Sequence, residues 1–181
     1  MLASSVPLAF VISWLAGVLS ALALPNVPSA PAAGDARAAV ERAVAPLRKG
    51  ASGHAEQKTC FACHNQATPM LAFATSKDRG FDLSADLFQS QAEHIIGFLD
   101  TNRERFKDGR GTGGAAATAG YALFTLELAG HKADDNTAAA VGYLLKTQAD
   151  RDHWRTPSSR PPTEASDFTT TYLALRALRV W

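Results

Sequence analysis

An all-α fold is predicted for this sequence by three observations. Alanine is very frequent and strand-favouring residues are sparse, a balance that favours helix over strand. Apolar residues recur mostly at helical spacing. Glycines, prolines and capping Ser or Asp residues cut the chain into segments of ~8 to 20 residues joined by short turns, the pattern of antiparallel helical hairpins. Hydrophobic residues make up 46% of the 181, enough for a packed core and too many for a disordered chain. The formal net charge of +1 gives no bulk attraction to nucleic acid or acidic membrane, and no nucleic-acid partner is expected.

The elements follow in order. Residues 1–34 carry no charged side chain, and residues 6–24 are an apolar run interrupted only by Pro7, Ser13, Gly17 and Ser20. Residues 1–24 resemble a secretory signal without the usual basic residue near its start. A Pro/Ala-rich linker, 25–34, follows, with small-residue cleavage sites after Ala23 or Ala32. The run is also long enough to span a bilayer, so an uncleaved anchor competes with a cleaved signal. Either reading exports residues 35–181, as a periplasmic domain or one anchored to the membrane and facing the periplasm.

Within that domain, Asp35 is expected to cap a helix to about Lys49, kinked or shortened by Pro46, with residues 50–53 breaking the pattern. Pro69 suits the first turn of a helix running to Lys77, and Gly80 ends it. Ser84 begins a longer helix to about Phe106, with Leu87, Phe88, Gln91, Ile95, Phe98 and Leu99 on one face. Four glycines in residues 107–114 form a turn rather than a phosphate cradle, because no strand precedes them and no lysine with a hydroxyl residue follows. Further helices are expected from Ala115 to Gly130, from Asp134 or Asp135 to Gln148, and from Ser166 or Asp167 to the C-terminus. Arg155, Arg160, Glu164 and Asp167 surround the proline-rich turn between the last two and are expected to pair locally.

The chemistry is concentrated in Cys60-Phe61-Ala62-Cys63-His64, which uses both cysteines of the chain. C-x-x-C-H is the attachment pattern of a c-type haem. Two thiols add across the vinyl groups, and the histidine supplies an axial nitrogen to the iron. Haem c is therefore the expected cofactor, covalently held by Cys60 and Cys63 with His64 on the iron. The second axial ligand is open: Met70, the only methionine besides Met1, and His94 on the long helix are the candidates, His54 is a weaker one, and a five-coordinate iron competes with all three. A Cys60–Cys63 disulfide is the first alternative, feasible in an oxidising compartment. A zinc site needs a fourth ligand for which no histidine has characteristic spacing. No catalytic residue is assigned, since no Ser/His/Asp set has a supporting nucleophile motif.

Two helices also share a pattern. Thr118, Ala122, Leu123 and Leu126 match Thr170, Ala174, Leu175 and Leu178 at an offset of 52 residues, the length of a helix–turn–helix unit. Between them, Gln148 and Trp154 bracket an acidic turn and precede Thr171-x-x-Ala174-Leu175-x-Ala177-Leu178. These residues resemble the repeat of squalene–hopene cyclases and protein prenyltransferases, although Asp152 stands where that family usually has glycine. The resemblance covers about residues 35–181 and implies a partial α/α toroid of helix hairpins, in which Gln148 and Trp154 tie successive repeats together. The D-x-D-D acid of the cyclases is absent, and both cysteines lie in one short motif rather than in a dispersed zinc set. The expectation is thus an exported helical-repeat protein with one haem c, serving electron transfer or redox sensing with a redox partner protein. A binding module with a structural disulfide and a divergent terpene-cyclase-like enzyme are the alternatives. A partner chain would complete the ring.

Overall fold

Helix α1 (Ala33–Gln57) leads into one turn of π-helix (Cys63–Ala67) and then α2 (Thr68–Asp78), α3 (Ala85–Thr101), α4 (Arg103–Lys107), α5 (Ala115–Leu128), α6 (Asp135–Gln148) and α7 (Asp167–Val180). The computed structural model describes residues 33–148 and 152–181. Among them there is no strand, only an isolated bridge between Arg160 and Glu164. The chain divides into two units, Met1–Ala36 and Arg37–Trp181, and the second holds the core and every element from α2 onward. The expected signal or anchor, and most of the linker, lie outside the described residues. No described helix is long and apolar enough to cross a membrane.

Three boundaries differ from expectation, the first being that the chain is already helical at Ala33, so Asp35 lies in the first turn of α1 rather than capping it. Helix α1 continues through Pro46, Gly50 and Gly53 to Gln57. Proline removes one backbone bond, to the carbonyl of Arg42, and that residue is exposed, so water can take the carbonyl over and the helix need not stop. The helix that starts at Ala85 breaks at Asn102 instead of reaching Phe106. There the Asn102 side chain donates to the Phe98 carbonyl at 2.8 Å, competing with the backbone for the same acceptor.

The remaining boundaries follow local chemistry. Asp134 accepts the Thr137 N–H at 2.8 Å while Thr137 Oγ1 accepts the Asp134 N–H at 2.9 Å, a reciprocal cap that opens α6. Ser166 caps α7 by accepting from the Thr169 N–H at 3.4 Å. Gly111, at φ +57°, lies so close to Tyr143 that a Cβ there would be 2.4 Å from the ring. Glycine is required on both counts.

Helix α5 is the centre of the arrangement. Residues 116–123, 125 and 126 are all buried, and α2, α3, α6, α7 and the π turn pack around it. Small residues make that closeness feasible: a Cβ on Gly120 would sit 2.8 Å from Leu173 Cβ on α7. A second, smaller cluster holds Ala51, Met70, Phe73, Leu83, Leu87 and Phe88, with Val44 and Leu47 of α1 against it. Trp154 joins α6 to α7. Its indole N–H donates to the Leu144 carbonyl at 2.9 Å, and its backbone N–H to Thr171 Oγ1 at 3.1 Å.

Candidate functional site

The C-x-x-C-H segment lies between α1 and α2, and its backbone is held from several sides. Ala62 is extended, and the π turn starts at Cys63. The side chain of Gln66 folds back to accept the Ala62 N–H at 2.9 Å, and the Gln66 N–H donates to the Ala62 carbonyl at the same distance. Thr68 Oγ1 lies 3.2 Å from the Cys63 carbonyl and 2.9 Å from that of His64. Gln66 is itself fully buried against Gln91, 3.5 Å away, whose Nε2 has no hydrogen-bond partner.

Two imidazoles meet at Cys60. His54 Nε2, from the end of α1, lies 2.8 Å from the Cys60 carbonyl oxygen, and His94 Nε2, from α3, lies 3.2 Å from the same atom. A carbonyl only accepts, so both rings donate an Nε2–H. In the neutral ring His54 Nδ1 is then an acceptor, and Asn65 Nδ2 lies 3.2 Å from it. The rings stand edge to face with centroids 5.9 Å apart. His94 is thus beside the motif, as is His54. Met70 is not: it is fully buried in the smaller cluster.

The two thiols have different surroundings. Both cysteines are free, Cys60 exposed and Cys63 buried; His64 is exposed. Cys63 Sγ donates to Glu164 Oε1 at 3.3 Å. Glu164 also accepts from Ser158 Oγ at 2.5 Å and from the Arg160 guanidinium, and Gly114 comes close enough that a Cβ would lie 3.5 Å from its carboxyl carbon. Burial pushes the Glu164 carboxyl up, but the bonds from Ser158, Cys63 and Arg160 outweigh it and hold the group below the usual range. Burial pushes the Cys63 thiol up; the neighbouring carboxylate adds to that, against a lowering bond with Thr163. Burial, then the proximity of Cys63 and Glu164, also raises the Tyr121 phenol. The cluster therefore favours a neutral thiol beside an ionised carboxylate.

No family model, curated protein or solved structure matches this chain.

Arg160 does pair with Glu164, as the sequence suggests. Asp167 turns elsewhere, accepting the Thr156 N–H at 2.7 Å and facing His153 Nε2 at 3.8 Å. Glu164 is the site residue whose role sequence reasoning missed. Its local pairing was legible, but its contact to a thiol 101 residues away has no local signature.

Among the described residues no three His, Cys, Asp or Glu side chains converge as a metal-ligand set. In donor chemistry the segment offers the groups a covalent haem takes, two free thiols with two residues between them and an exposed imidazole directly after, but Cys63 is enclosed beside Glu164 and would have to open for attachment. Thioether formation at Cys63 would take away the proton it donates to Glu164, leaving Ser158 and Arg160 to satisfy that carboxylate.

Proposed function

We propose that this is an exported helical-repeat protein carrying one covalent c-type haem on Cys60 and Cys63, with His64 on the iron, for electron transfer or redox sensing. The observation that supports the reading is the C-x-x-C-H motif, whose thiols are free rather than bonded to each other and whose Cys60 and His64 face solvent while Cys63 is buried. When bound, the haem supplies a one-electron iron couple. The chain's part is to fix the segment through Gln66 and Thr68 and to seat His54 and His94 beside it. Of the two expected candidates for the second axial position, His94 lies against the motif while Met70 is enclosed in a hydrophobic cluster, which favours the histidine, through Nδ1 while its Nε2–H is donated to the Cys60 carbonyl.

The scaffold proposal is a partial α/α toroid. It is supported by the paired patterns on α5 and α7, by their direct packing, and by Trp154 linking α6 to α7.

The deciding experiment expresses the full chain with periplasmic haem-maturation enzymes. The expected product is coloured, keeps its Soret absorbance through acidic acetone extraction, and shows a covalent mass gain of one haem. Cys60→Ser should reduce attachment, and His64→Ala should change the ligand spectrum. A colourless protein of unmodified mass overturns the proposal.

A further inference from the structure

Helix α7 buries one face and leaves another bare. Thr170, Leu173, Ala174 and Ala177 are buried, whereas Phe168 is 91% exposed and Tyr172 and Leu175 are each 55% exposed. Their spacing places them on one stripe. Together they line an open groove of about 610 Å³ with His153, Asp167 and Thr171. Large apolar side chains clustered in one strip of surface mark a contact site more often than isolated ones do.

The internal repeat shows what such a stripe is for. At the 52-residue offset, Phe168, Tyr172, Leu175 and Arg179 correspond to Ala116, Gly120, Leu123 and Glu127 of α5. That stripe of α5 is covered by a helix. Gly120 abuts Leu173, Glu127 takes the Arg176 guanidinium at 2.7 and 2.8 Å, and Ala116 and Leu123 are buried. The bare stripe of α7 thus corresponds in position to a stripe that α7 itself covers on the largely buried α5, now with bulkier side chains.

Charge indicates which helix would cover it. Asp167 stands at the N-terminal end of the stripe, and the exposed Arg179 near its C-terminal end. A parallel copy would set like charges against each other. An antiparallel copy, with its two-fold axis between positions 173 and 174, sets Tyr172 against the partner's Leu175 and Phe168 beneath the partner's Arg179. A guanidinium over an aromatic face is attractive, and Asp167, half-exposed while it accepts the Thr156 N–H, adds negative charge beside the same pairing.

We propose that α7 is a self-association surface through which two copies of this chain dock antiparallel on Phe168, Tyr172, Leu175 and Arg179. This does not depend on the haem reading. Three apolar anchors per copy bury less than the ~800 Å² per partner of a standard interface, so the dimer is reversible and concentration-dependent.

Sedimentation equilibrium of the full chain, in non-ionic detergent where its N-terminal apolar run requires it, tests this. The average mass should rise from monomer towards dimer as subunit concentration approaches about 1 mM. Phe168→Glu and Leu175→Glu, both exposed and expected to preserve the circular dichroism spectrum, should each weaken association by about tenfold or more. Arg179→Glu should weaken it as well, while Arg179→Lys retains it. A monomer throughout the range, or a dimer indifferent to Phe168→Glu and Leu175→Glu, overturns the surface. An association constant unchanged by Arg179→Glu overturns the antiparallel arrangement.

Discussion

At the scale of single residues, the two cysteines of one short motif differ in accessibility. Cys60 is open to solvent and Cys63 is enclosed beside Glu164. With both thiols free, an alkylating reagent should therefore modify Cys60 at the rate of an exposed thiol and Cys63 only as the structure opens. Mass-resolved labelling checks this, and equal rates at both positions would contradict the buried placement. Glu164 also leaves a mark on the pH dependence of stability. Its carboxyl is held below the ordinary range, so its contribution is fully present above the unfolded value of about 4.3 and is lost as pH falls through the lower folded value. Glu164→Gln should cost about 2 kcal/mol at neutral pH, the scale of a hydrogen bond to a charged group. The gap between variant and parent should close on acidification. Denaturant midpoints measured across the acid range give the comparison.

At the scale of elements, the prediction concerns how closely helices approach. Gly120 to Ala would ordinarily stabilise a helix by about 1 kcal/mol. Here the new methyl meets Leu173 at 2.8 Å, so a loss of about 1–3 kcal/mol from overpacking is expected. Leu173→Gly, which removes the Cβ that the methyl meets, should cost less in the Gly120→Ala background than alone, and a thermal melt that rises for Gly120→Ala alone would contradict the contact. Most of this architecture was legible in the sequence. The apolar stripe of α3, the cap at Asp134, Pro69 at the start of α2 and Ser166 at the start of α7 are all local signals. What stayed hidden depends on surroundings that no window of sequence contains. Pro46 ends a helix only where its orphaned carbonyl lacks an alternative partner, and Asn102 interrupts one by a side-chain bond. In the candidate site, the C-x-x-C-H pattern named its own residues. The convergence of His54 and His94 on one carbonyl, and of Glu164 on Cys63, is decided by how distant helices pack.

At the scale of the whole molecule, Trp154 concentrates the link between α6 and α7 in one side chain. It is 4% exposed, and its indole satisfies a carbonyl near the end of α6. Trp154→Ala should cost about 3–5 kcal/mol. Trp154→Phe keeps much of the packing but removes one donor to the Leu144 carbonyl, which Thr147 Oγ1 still serves at 2.9 Å, so a smaller loss of about 1 kcal/mol or less is expected; chemical denaturation of the two variants ranks them. The contact between Cys63 and Glu164 has a further consequence, in time rather than in space. The thiol is made 101 residues before the carboxylate that encloses it, and the export proposed above, running from the N-terminus, would deliver them in that order. Chemistry at Cys63 thus has an interval that opens as the motif emerges and shuts when the 158–164 turn docks. For the proposed haem attachment, that interval is when the thiol is reached without opening the fold, and the rate at which the C-terminal third folds sets how long it lasts.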